Sequence, residues 1–157
     1  METLRITTAQ DRLTRVWFIG AGIPCIILVI QSLLGKYGES VHDVWGWFVP
    51  TVGPTLGLIL GVIGARALLP ANGQTGSEQH VSRSYFAVAY WLSFSYLGLV
   101  LMTILLEPFS PEPYKGIKLY NLASYWLGPI QGLVIAAVTV LFNSKHQVTP
   151  KRPPKTR

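Results

Sequence analysis

Four stretches of this chain contain no Asp, Glu, Lys or Arg: residues 16–35, 44–65, 84–106 and 119–144. A helix that crosses a bilayer needs about 20 mostly apolar residues, and a charge-free run of about 18 already marks a candidate. Each stretch meets that length. A water-soluble chain could bury one such helix in its core, but not four. Charged residues make up 13% of the 157 positions, against about 25% in soluble proteins. Too little polar chain remains to cover four apolar helices. The expected fold is therefore an all-α integral membrane protein, a four-transmembrane-helix bundle with short loops. The spans fall near 16–35, 44–65, 84–106 and 122–143. They form one domain over 16–144, between an N-terminal segment 1–15 and a basic tail 145–157.

The first apolar run is read as a retained helix rather than a cleaved signal. The fifteen residues before it mix acids with bases, and Pro24 precedes Cys25 where a small-residue cleavage site would be expected. Cys25 is the only cysteine, so no intrachain disulfide can form, and it is read as a small packing residue. Orientation follows from the cations. Arg5, Arg12, Arg15, Arg66, Arg83, Lys145, Lys151, Arg152, Lys155 and Arg157 fall on the side of the two termini, and only Lys36, Lys115 and Lys118 on the other. Positive residues in short segments mark the cytoplasmic side. Both termini are thus expected in the cytoplasm and the protein in a cell membrane, inner or plasma. Aromatic residues gather toward both ends of the spans, as interfacial belts do. The pI of 9.7 then reflects topology, and no nucleic-acid partner is expected.

The second run, WGWFVPTVGPTLGLILGVIG, carries two prolines and several glycines. At about 100° per residue, Gly53, Gly57, Gly61 and Gly64 share one narrow arc, with Pro50 and Pro54 at its edge. Thr51 and Thr55 fall on the opposite face. Small residues repeated at this spacing let a second helix approach closely in a membrane, so the arc is read as a helix-packing face. Pro50 is expected near the helix start, where its missing N–H matters least. Pro54 lies deeper and should kink the helix, and inside a bilayer the carbonyl it frees must find a partner within the protein. Pro24 and Pro129 are the kink candidates of helices 1 and 4.

The remaining helices each carry one small or polar stripe: Gly20, Pro24 and Gln31; then Ala89, Ser93, Tyr96, Thr103 and Glu107; then Asn121, Ser124, Gly128, Gln131 and Thr139. Such stripes avoid lipid and should face protein or water. Helix 4 offers the candidate pore lining, Ser124, Gln131 and Thr139, with Glu107 at the mouth. The plainer reading of Glu107 is an ion pair with Lys115 or Lys118.

Catalytic signatures are missing. No Asp, Glu, Lys, Arg or His sits mid-span, where proton-coupled transport usually needs one. His42, His80 and His146 lie in loops or at helix ends, and no nucleotide-binding, zinc-protease or nucleophile-elbow pattern occurs. No catalytic, cofactor-binding or metal residue is assigned, and no cofactor is expected. The leading functional expectation is a non-catalytic membrane subunit or scaffold, oligomeric through the glycine face and assembled with copies of itself or other membrane subunits. The alternative is a pore-forming effector that permeabilises the bilayer. An integral-membrane enzyme or transporter comes third. The tail cations Lys145, Lys151, Arg152, Lys155 and Arg157 can rest on anionic lipid, each worth about 1 kcal/mol there, or dock a cytosolic partner.

Overall fold

The computed structural model describes residues 3–68, 80–111 and 113–143, so the basic tail lies outside the described residues. Four helices carry the fold: α1 Ile6–Leu33, α2 Val41–Leu68, α3 Arg83–Leu106 and α4 Ile117–Asn143. All four are long and apolar enough to cross a membrane. They overrun the charge-free windows. α1 begins at Ile6, because a helix accepts the polar residues of its first turns that a charge criterion excludes. α2 begins at Val41, so Pro50 lies inside the helix and not at its start.

A short antiparallel ribbon, β1 Thr3–Arg5 with β2 His80–Ser82, was not expected from the sequence. Three residue pairs give it little stability of their own. Its consequence is topological: it holds the first turns of α1 and α3 side by side, so these two helices run in parallel and α2 and α4 return against them. Here the ribbon end is the end carrying β1 and β2, and the hairpin end is the opposite one. α1 packs chiefly on α3, α3 on α4 and α4 on α2, with α1 and α2 touching less. Side chains reinforce the ribbon end. The Gln10 amide donates to the carbonyl of Leu141 (2.9 Å) and the Tyr85 hydroxyl to that of Ala137 (3.0 Å). Leu141 lies in the last turn of α4, where carbonyls have no helical partner.

At the hairpin end, Gly35 stops α1. It takes φ +73°, its N–H bonds the Ser32 carbonyl, and the Lys36 N–H reaches back to Gln31. These paired bonds form a Schellman cap, which favours glycine because the left-handed conformation costs it nothing. The cap fixes where Lys36 and Tyr37 emerge.

The bundle is inverted relative to a soluble one. Trp17, Tyr96, Tyr120, Ile59 and Ile104 are fully buried, yet Ile19, Leu33, Trp91, Phe94 and Leu133 are exposed. In the most apolar window of α1 only 22% of residues are buried. Helices apolar on every side belong in a bilayer or a very large core. The polar stripe of α3 turns inward as expected: Ala89, Ser93, Tyr96, Thr103 and Glu107 are all buried. α2 buries Thr51 and Thr55 and turns its glycines out.

Candidate functional site

Pro54 lacks the N–H that would bond the carbonyl of Pro50, four residues earlier. That carbonyl is not left bare. The Gln131 amide, from the middle of α4, donates to the Pro50 carbonyl and to that of Thr51, both at 2.9 Å. The buried Tyr96 hydroxyl, from α3, adds a 2.7 Å bond to the Thr51 carbonyl. Thr51 itself donates back to the Trp47 carbonyl at 2.7 Å. Three helices therefore meet at the Pro50–Pro54 turn of α2, and the carbonyl that Pro54 frees finds a side-chain donor within the protein. Tyr96 is fixed in turn by Trp17 of α1, with ring centroids 6.1 Å apart.

From this point a groove of about 490 Å³ rises between α2 and α4 toward the hairpin end. Gln131, Thr51 and Pro50 form its floor, Ser124, Asn121 and Gly128 its α4 wall, and Gly46, Asp43 and His42 its α2 wall and rim. Ser124 donates to the Tyr120 carbonyl of its own helix at 3.1 Å. His42, Asp43 and Asn121 are exposed and make no hydrogen bond or ion pair among the described residues. The groove thus offers uncharged and charged polar groups beside an otherwise apolar exterior. Among the described residues no group of three His, Cys, Asp or Glu side chains could hold a metal ion.

A second polar cluster closes the hairpin end. Lys36 pairs with the buried carboxylate of Glu107, so the ion pair that forms ties the α1–α2 turn to the end of α3; the expectation had named Lys115 or Lys118. Beside it the Tyr37 hydroxyl donates to Gln31 and lies 3.1 Å from the Tyr120 hydroxyl. Tyr120 stacks on Trp47 at 4.6 Å between centroids, and Trp45 donates to Ser32 at 3.2 Å.

Of the four candidate pore residues, Ser124 and Gln131 meet in the groove. Thr139 lies two helical turns beyond Gln131, about 12 Å toward the ribbon end, and Glu107 belongs to the hairpin cluster. Gly53 is half-buried. Gly57, Gly61 and Gly64 are exposed, and a Cβ built on any of these three would touch nothing within 4 Å. Pro24 is buried in α1, and Pro129 is exposed on α4. The part played by Gly46 was legible, since it shares the helical arc of Gly53 and Gly57. Nothing local to Lys36 announced its partner, which is 71 residues away.

No protein-family model, curated protein or solved structure matches the chain.

Proposed function

We propose that this chain is a non-catalytic, multi-pass membrane subunit that self-associates through α2, with both termini in the cytoplasm. One observation carries the reading: the arc Gly57, Gly61 and Gly64 is open on the outside of the bundle, while α2 packs within its own chain through the threonine side. Exposed glycine backbone in a bilayer gains by close approach of another helix. Gly132 of α4 is likewise exposed and open. The engagement of Gln131 with backbone carbonyls, and of Glu107 with Lys36, gives these two polar groups structural partners inside one chain.

The Gly57→Ile/Gly61→Ile double variant should shift the protein to monomer on blue-native gels and in cross-linking, by at least about tenfold in association constant, the equivalent of about 1.4 kcal/mol. Ile63→Leu should leave assembly unchanged. Equal oligomer content in all three proteins would put the glycine arc against lipid. For orientation, Ser40→Cys and Ser110→Cys in a Cys25→Ser background should react with an impermeant maleimide on intact cells, and Thr7→Cys should not. The reverse pattern inverts the topology.

A pore is the second reading, supported by the exposed polar wall Asn121, Ser124 and Gly128, which an α2-mediated assembly would bring beside a neighbouring copy. Dye leakage from proteoliposomes that falls with Ser124→Leu would favour it, and tight proteoliposomes at high protein density would remove it.

A further inference from the structure

The opposite side of the bundle carries a different surface. At the ribbon end, α1 and α3 enclose a cavity of about 600 Å³ whose polar groups include Arg12 and Arg83, with Tyr90 and Trp91 at its wall. Tyr90 also lines a second groove of about 320 Å³ that runs deeper between the same two helices. Its mouth is marked by Arg15, and below that it is lined by apolar side chains such as Ile19, Ile23, Phe94 and Leu101. On α1 the positions 12, 15, 19 and 23 stack on one face, and on α3 so do 83, 90, 94 and 101, at helical spacing. Two stripes therefore run from guanidinium to hydrocarbon in the same direction. From Tyr90 to Leu101 the trough measures about 16 Å along α3, close to half of the ~30 Å hydrocarbon thickness of a bilayer. Gly98 lines the trough, and the space above it is empty: a Cβ there would meet nothing within 4 Å.

We propose that this composite groove holds one anionic glycerophospholipid, with its phosphate on Arg12 and Arg83 and one acyl chain in the trough beneath. Guanidinium groups bind phosphate oxygens through paired N–H bonds. A soluble anion would use the upper cavity alone. The continuous apolar trough, of the right depth and polarity for one leaflet, selects a lipid. Trp91, 63% exposed, meets Tyr90 and Phe94 edge-on at 6.0 and 5.8 Å. This aromatic run lies where head group gives way to chain, the level that amphipathic rings prefer. The site needs the membrane-spanning reading above and is independent of self-association.

The test starts from membranes washed with alkaline carbonate. Protein released by that wash would refute the membrane reading, separately from the lipid site. Carbonate-resistant protein is then reconstituted in nanodiscs of phosphatidylcholine with one-tenth phosphatidylglycerol, extracted in mild detergent, and its retained lipid counted by native mass spectrometry. The wild type should retain phosphatidylglycerol well above its share of the bilayer. Arg12→Gln/Arg83→Gln should reduce that retention about 30-fold, corresponding to about 1 kcal/mol for each basic residue. Gly98→Phe should reduce it with every cation in place, because the ring fills the trough. Lys118→Gln, at the hairpin end, should change nothing. Retention of the two lipids in proportion to their abundance by the wild type would overturn the proposal, whatever the variants do. So would complete displacement by glycerol phosphate, which would mean a soluble-anion site without a chain.

Discussion

The two broad faces of this bundle solve the same packing problem in opposite ways. Between α1 and α3 the helices touch at the base of the trough: a Cβ on Gly20 would come within 2.6 Å of Leu97 Cδ1 and 3.3 Å of its Cβ and Cγ. That glycine is used up within the chain. Along α2, Gly57, Gly61 and Gly64 are unused by the chain, and α4 shows an exposed polar wall toward the hairpin end. The first face ends in arginines and long apolar side chains, the second in His42, Asp43 and Asn121. Glycine in a membrane helix thus has no fixed meaning. Its role depends on whether another helix of the same chain already occupies the space above it.

The largest effect should come from filling the contact at Gly20. Gly20→Leu forces Leu97 and the α1–α3 spacing to move, at a cost of about 1–3 kcal/mol typical of overpacking. Gly57→Leu should leave the stability of the monomer in detergent within about 0.5 kcal/mol, as for surface changes. Equal melting temperatures for the two variants would break the contrast.

Next is the Pro50–Pro54 turn. Gln131→Leu strips the Pro50 carbonyl of its side-chain donor and should cost about 0.5–1.5 kcal/mol, the net worth of an ordinary hydrogen bond. Pro54→Ala restores an N–H four residues after Pro50. In that background Gln131→Leu should cost clearly less, and the double-mutant cycle measures the difference. A coupling of zero would mean that Gln131 does not act by satisfying the carbonyl that Pro54 frees. Tyr96→Phe, which removes one of two side-chain donors to the Thr51 carbonyl, should cost about 0.6 kcal/mol, the average for hydrogen bonds between membrane helices.

The smallest effect concerns Thr55 and Ser93, which are fully buried and whose hydroxyls have no hydrogen-bond partner among the described residues. Thr55→Val keeps the shape and removes the unpaired group. It should be neutral or raise the melting temperature slightly. A marked loss of stability would reveal a bond or a buried water at that hydroxyl.

Much of the fold was legible because its determinants are local. Charge-free runs give the helices, and the stripe through Ser93, Tyr96 and Thr103 gives the buried face of α3. Pro54 announced an unsatisfied carbonyl, since the missing N–H is a property of the residue itself. The donor was not legible as such: Gln131 stood out as a polar residue at mid-span and was equally suited to lining water. The ribbon was missed because three-residue strands leave no periodic signal.

What the sequence by itself determined is therefore the number of long apolar helices, the face that α3 buries, and the carbonyl that Pro54 leaves without its helical donor. Tertiary structure alone decided that α1 lies along α3 and α2 along α4, that Gln131 and Tyr96 bond the Pro50 and Thr51 carbonyls, that Lys36 meets Glu107, and that the α2 glycines look outward. The reason is physical. Hydropathy and backbone chemistry act over one or two helical turns, while helix pairing is fixed by shape and hydrogen-bond complementarity between segments about 80 residues apart.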